Sequence, residues 1–133
     1  VKVCTEFSAV CAQESFPAEI EMKIMDVPGS QSEDCLYLNV WSEGDTDRKP
    51  VMVWIHGGGL GLGAASQPIN HVQYLARKGL VDDTINYRKG ALGFLHLNTV
   101  TDGAIPATGN EGFLDQIANI NDIVVLQAVG RAH

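Results

Sequence analysis

The chain has 133 residues, 45% of them hydrophobic, with 14 glycines and a formal net charge of −7. A chain of this size and mixture makes at most one globular domain and is neither disordered nor fibrous. Its nine basic residues, densest at Arg48-Lys49 and Arg77-Lys78, argue against nucleic acid as a partner, and no apolar run approaches the roughly 18 residues of a membrane span.

Residues 1–34 carry no sustained periodicity, being broken by Pro17, Pro28 and Gly29. Residues 19–25 alternate loosely and are expected to form a turn of helix. The opening Val-Lys-Val-Cys-Thr-Glu has neither an initiator Met nor a signal-peptide apolar core, so the chain is expected to be cut out of a longer one. Three cysteines, Cys4, Cys11 and Cys35, allow either one bridge with a thiol left over or three reduced thiols. None stands in a C-x-x-C pair, so zinc or thioredoxin-like chemistry is not expected. No other metal or cofactor is expected.

Leu-Tyr-Leu-Asn-Val-Trp at 36–41 reads as a strand, and the charged, Gly-containing stretch 42–49 as a surface turn. Residues 51–55 are continuously apolar, which fits a strand covered on both faces. It runs directly into His56, Gly57, Gly58 and Gly59. Ser66-Gln67-Pro68 resembles a helix start, with Ser as N-cap and Pro in the first turn. Ile69, Val72, Leu75 and Ala76 continue at helical spacing, and Gly79 closes the helix. Thr84-Ile-Asn-Tyr-Arg88 is the next strand candidate, and a right-handed crossover would place a strand at 81–87 parallel to 51–55. Residues 90–97 read as an apolar turn and 98–110 as a loop. A helical pattern returns from Phe113 through Ile117, Ile120 and Val124. This order defines an α/β fold with about three or four strands.

The run Gly57-Gly-Gly-Leu-Gly-Leu-Gly-Ala64 admits three readings. One is a flexible surface connection. A second is dinucleotide binding, since Gly59, Gly61 and Ala64 satisfy G-x-G-x-x-A and Asp82 or Asp83 falls about 20 residues on. In that motif the helix starts within the glycines to meet the pyrophosphate. Pro68 would then sit inside the helix, where it costs about 3 kcal/mol. The fingerprint also leaves His56 and Gly57 unexplained. The third reading is an oxyanion loop, because residues without Cβ let backbone N–H groups approach one point, and HGGG is the form such loops take in lipases and esterases.

Five blocks extend the third reading: Ser32-Glu-Asp-Cys-Leu-Tyr-Leu-Asn-Val-Trp41, Pro50-Val-Met-Val-Trp-Ile-His-Gly-Gly-Gly59, Thr84-Ile-Asn-Tyr-Arg88, Gly90-Ala-Leu-Gly-Phe-Leu95 and Gly109-Asn-Glu-Gly-Phe-Leu-Asp-Gln116. In this order and spacing the chain resembles the type B carboxylesterase family, the carboxylesterase/cholinesterase branch of the α/β-hydrolases, in its N-terminal portion. The resemblance implies that residues 1–133 are the N-terminal part of one α/β-hydrolase domain, with a partial, incomplete sheet. It implies hydrolysis of small-molecule carboxylic esters through an acyl-enzyme, with serine as nucleophile and histidine as base. Gly58 and Gly59 would supply oxyanion-hole amides.

No Gly-x-Ser-x-Gly occurs in the 133 residues, so nucleophile, base and acid are expected to lie outside them and the chain alone to be inactive. His56 is expected to pack the loop, His71, His96 and His133 to face solvent, and Ser66 to cap a helix. The resemblance also pairs Cys35 with Cys11, a closure contributing roughly 3 kcal/mol. Such a bridge leans toward a secreted or periplasmic setting. Arg88 and Asp115 match positions that form a buried ion pair, while Glu33 matches a salt-bridged position whose partner would precede residue 1.

Two departures stand out. Where the family has an unbroken apolar strand, this chain reads Leu80-Val81-Asp82-Asp83, so the strand is expected to begin only at Thr84 or the local fold to be disturbed. After Gln116 the apolar spacing fits one helical face only in part. A truncated or frame-disturbed esterase product, marginal or aggregation-prone on its own, is therefore expected. The competing functions are a non-catalytic cholinesterase-like binding module and an NAD-binding domain.

Overall fold

A computed structural model describes residues 6–14, 27–44, 48–70 and 72–130, the last six by their backbone alone. The expected helical turn at 19–25, Cys4, His71 and His133 lie outside the described residues.

Strands β1 (Val10–Cys11) and β2 (Gln31–Ser32) form a two-residue parallel pair, Val10 opposite Gln31 and Cys11 opposite Ser32. A ladder this short has little cohesion of its own. The Cys11–Cys35 disulfide, with Cα atoms 4.8 Å apart and a sequence separation of 24, holds it closed. Both cysteines are buried. Reducing the bridge is expected to cost about 3 kcal/mol, read as a lower urea midpoint in the presence of a phosphine reductant; an unchanged midpoint would mean that the bridge adds no constraint.

The main sheet contains β3 (Leu38–Trp41), β4 (Val51–Ile55) and β5 (Val81–Ile85) in the order β3-β5-β4. The central β5 runs antiparallel to β3 and parallel to β4. β4 coincides with the apolar run read from sequence but is not covered on both faces: it is an edge strand with Trp54 and Ile55 exposed. β5 starts at Val81 rather than Thr84, so both carboxylates enter the central strand, Asp82 at 0% and Asp83 at 1% exposure. Ladder hydrogen bonds on both edges of β5 outweigh the poor strand preference of Asp.

Between β4 and β5 the expected single helix from Ser66 is broken into a 3-10 turn at Pro68–Asn70 and the one-turn α1 (Gln73–Ala76). The reason is local. The Asn70 amide donates to Ala64 O at 2.8 Å and accepts from Trp54 Nε1 at 3.0 Å, while Gln67 Oε1 accepts the Ala64 N–H at 3.0 Å. Side-chain bonds to backbone of this kind compete with helix propagation.

The segment read as an apolar turn contains α2 (Gly90–Phe94), which packs on α3 (Glu111–Gly130) with Phe94 edge-on to Phe113 at 5.3 Å. Gly112 sits where a Cβ would meet Arg88 O at 2.7 Å, so only glycine lets the two helices approach. Glu111 opens α3 by accepting from Thr108 N and Gly109 N at 2.6 and 3.0 Å, a charge-assisted cap that lowers its pKa. The inward face of α3 is Gly112, Asp115, Asn119 and Ile123, whereas Phe113, Leu114, Ile117 and Val124 are exposed. That inversion explains why the tail only partly fits an amphipathic pattern.

Candidate active site

The chain leaves the sheet at Ile55, and every residue from Gly57 to Leu60 is exposed. Gly58, Gly59 and Leu60 take positive φ of 126°, 61° and 63°. The first of these is open only to glycine, and a Cβ there would run into Leu62 O. Gly58 O accepts the amides of Gly61 and Leu62 at 3.2 and 3.1 Å, which curls the loop back on itself. Among the described residues, the N–H groups of Gly58 and Gly59 have no acceptor. They are exposed donors on a fixed turn.

Three anchors fix that turn. His56 is buried, stacked on the Tyr87 ring at 4.6 Å and 17°, and its Nδ1–H donates to Gly57 O at 2.8 Å. Tyr87 Oη in turn donates to His56 O at 3.0 Å. Burial lowers the His56 pKa to about 4, so the ring is neutral at physiological pH, with Nε2 unpartnered among the described residues. A neutral, enclosed imidazole packs the loop.

The second anchor is Gln13, whose side chain pairs with Gly63 as a strand residue would: Gly63 N donates to Oε1 at 2.7 Å and Nε2 donates to Gly63 O at 3.0 Å. The same Nε2 donates to Cys11 O at 2.9 Å, linking the loop to the disulfide. At Gly63, with φ 109°, a Cβ would lie 2.5 Å from both Gly57 O and His56 Nδ1. Asn86 is the third anchor: its Oδ1 accepts the Ala65 amide at 2.9 Å and its carbonyl accepts Asn119 Nδ2 at 3.1 Å. Nothing local in the sequence marks Gln13 or Asn86, because their partners lie 50 and 21 residues away.

Arg88 and Asp115 meet as a bidentate pair. Arg88 Nε and its backbone N donate to Oδ2 at 2.8 and 2.9 Å, and Nη2 donates to Oδ1 at 2.8 Å. The hydrogen bonds to Asp115 raise the guanidinium pKa still further. Asp115→Ala is expected to cost about 2 kcal/mol, measured by urea unfolding, since it strands the Arg88 donors beside α3. Asp115→Asn would lose less.

The remaining candidates do not gather around the glycine loop. Glu33 is exposed, with no ion pair among the described residues, and His96 is exposed. No group of three or more His, Cys, Asp or Glu among the described residues could hold a metal. Gly59, Gly61 and Ala64 are not followed by a helix end, because α1 begins only at Gln73. The dinucleotide geometry therefore lacks its pyrophosphate-binding terminus.

A mixed sheet with a crossover from β4 to β5, and a glycine turn at the carboxyl end of β4, define an incomplete α/β-hydrolase fold. Residues 1–122 match the profile of the Carboxylesterase family, and the chain belongs to that family. It is 43% identical over 118 residues to para-nitrobenzyl esterase of Bacillus subtilis (strain 168), covering 86% of this chain and 22% of that protein. It is 38% identical over 129 residues to carboxylesterase 1D of Rattus norvegicus, covering 91% of this chain and 22% of that protein. In space it superposes on a thermophilic PNB esterase with a TM-score of 0.71 at 38% identity, covering 87% of this chain and 23% of that one. The chain thus spans about a fifth of the length of the relatives it matches. No helix among the described residues is long and apolar enough to cross a membrane.

Proposed function

We propose that this chain carries the oxyanion loop of a serine carboxylesterase, with the amides of Gly58 and Gly59 as two of the donors to the substrate's developing oxyanion. One observation carries this reading: both N–H groups end an anchored glycine turn, exposed and without an acceptor among the described residues. A donor already held in place needs no reorganisation when negative charge appears, and one such donor contributes about 3 to 4 kcal/mol to lowering the barrier. A side chain at residue 58 would collide with Leu62 O and displace the turn that holds these donors. The substrate class is a small-molecule carboxylic ester, and para-nitrobenzyl esters are the probes that the bacterial relative's name recommends.

Acyl transfer also needs a nucleophile and a base. His56 is neutral, buried and tied to Gly57 O, and the 133 residues contain no Gly-x-Ser-x-Gly, so this reading assigns neither nucleophile nor base to a residue of this chain. The outward apolar stripe of α3, with Ile117 and Val124 more than half exposed, supports reading residues 1–133 as the N-terminal part of one α/β-hydrolase domain. The chain by itself is expected to turn over a para-nitrobenzyl or short-chain nitrophenyl ester no faster than buffer, followed by release of the chromophore. Stoichiometric or catalytic release beyond an albumin control would overturn its inactivity. Saturable quenching of Trp emission by NAD would overturn the oxyanion reading itself.

A further inference from the structure

Lys89 is a buried group that ester chemistry leaves unused. It precedes α2, is 1% exposed, and its Nζ donates to Tyr87 O at 3.1 Å, lying 5.2 Å from the centre of the Tyr87 ring. Among the described residues it has no carboxylate partner. The nearest cation in sequence, Arg88, is committed to Asp115. An ammonium has three N–H donors, so two of them have no acceptor among the described residues. Lys89 also lines a cavity of about 240 Å³ together with Arg88, Ser32, Glu33, Leu92 and the Cys11–Cys35 bridge. A space of that size holds a molecule of several heavy atoms, since a water occupies about 30 Å³.

We infer that this cavity is a covalent site for a small aldehyde, which Lys89 Nζ captures as an iminium. The amine lone pair attacks the carbonyl carbon, the C=O π electrons go to oxygen, and the carbinolamine expels that oxygen as water. From the protonated amine the balance is ammonium plus aldehyde giving iminium plus water, with no oxidant or reductant. The hydrogen-bond count favours the product. An iminium keeps one N–H, the number that Tyr87 O accepts, and sheds the two that have no partner among the described residues. Burial also lowers the Lys89 pKa to about 8. About a tenth of it is then neutral at pH 7, against fewer than about one in a thousand for a solvated lysine.

The test is reductive alkylation of the folded chain with millimolar acetaldehyde and cyanoborohydride at neutral pH, scored by peptide mass spectrometry. Cyanoborohydride delivers hydride to the iminium carbon and fixes an N-ethyl group. Lys89 is expected to be labelled about tenfold faster than the exposed Lys78, the preference vanishing in denaturing urea. Ala12, which lines the same cavity, supplies the second arm. Ala12→Leu takes up space in the cavity while leaving the lysine in the sequence, and is expected to slow Lys89 labelling about fivefold while leaving Lys78 unchanged. Labelling of Lys89 no faster than Lys78 would overturn the site. So would an Ala12→Leu chain that unfolds at the same urea concentration and labels Lys89 at the original rate.

Discussion

Replacing Asp83 by Val is expected to stabilise the chain by about 3 kcal/mol above pH 7, raising the thermal midpoint by about 10 °C. Asp83 lies in the middle of the central strand at 1% exposure, opposite Val40 on β3 and Val53 on β4. Among the described residues its Oδ1 has no hydrogen-bond partner, nor does either oxygen of Asp82. Burial, helped by the adjacent Asp82, raises the Asp83 pKa from 3.8 to about 6. A carboxyl whose folded pKa is raised is harmless below the unfolded value and destabilises increasingly as pH rises through the folded one. Two pKa units at 1.36 kcal/mol each account for the expected gain. Valine removes that penalty and completes an apolar cross-strand row. Asp82→Val acts in the same direction, since burial raises its pKa as well. The comparison is thermal unfolding of both chains at pH 7.5 and pH 3. A difference that persists undiminished at pH 3 would rule out charge burial as its source.

The same two residues show where sequence reasoning succeeds and where it fails. β4 was legible because five consecutive apolar side chains followed by glycines have few alternatives. The disulfide and the Arg88–Asp115 pair were legible only through resemblance, because pairing across 24 or 27 residues leaves no local trace. The start of β5 was misread because local composition speaks against a strand at Asp82 and Asp83. Pairing with Met52 and Val53 on one side and Trp41 and Val40 on the other overrides it. The helix after Ser66 was misread for the opposite reason: its spacing is sound, but Asn70 turns inward to bond Trp54 and Ala64. At the glycine loop, composition marks the turn, while the side chains that hold it, Gln13 and Asn86, become visible only when distant segments meet.

The buried carboxylates should also mask a second pH dependence, and removing them is expected to expose it. His56 has a folded pKa of about 4 against an ordinary 6.5, so it stays neutral in the folded chain while the unfolded chain takes up a proton. A depressed pKa of this kind contributes stability that is complete above pH 6.5 and is lost as pH falls toward 4. Over that window the loss is about 3 to 4 kcal/mol. Asp83 works in reverse, because below pH 6 the folded chain holds a proton that the unfolded chain does not bind until pH 3.8. Between pH 6 and 4 one proton taken up by each state cancels the slope, and Asp82 tilts it further toward the folded side. The native chain should therefore change in stability by less than about 1 kcal/mol between pH 7 and pH 5. The Asp82→Val, Asp83→Val double variant should be more stable at pH 7 but lose about 3 to 4 kcal/mol by pH 4, measured as urea midpoints along the series. Adding His56→Gln to that variant should flatten the profile. If the double variant is already flat across pH 4 to 6.5, His56 is not held neutral against Tyr87, and the first anchor of the glycine turn is misassigned.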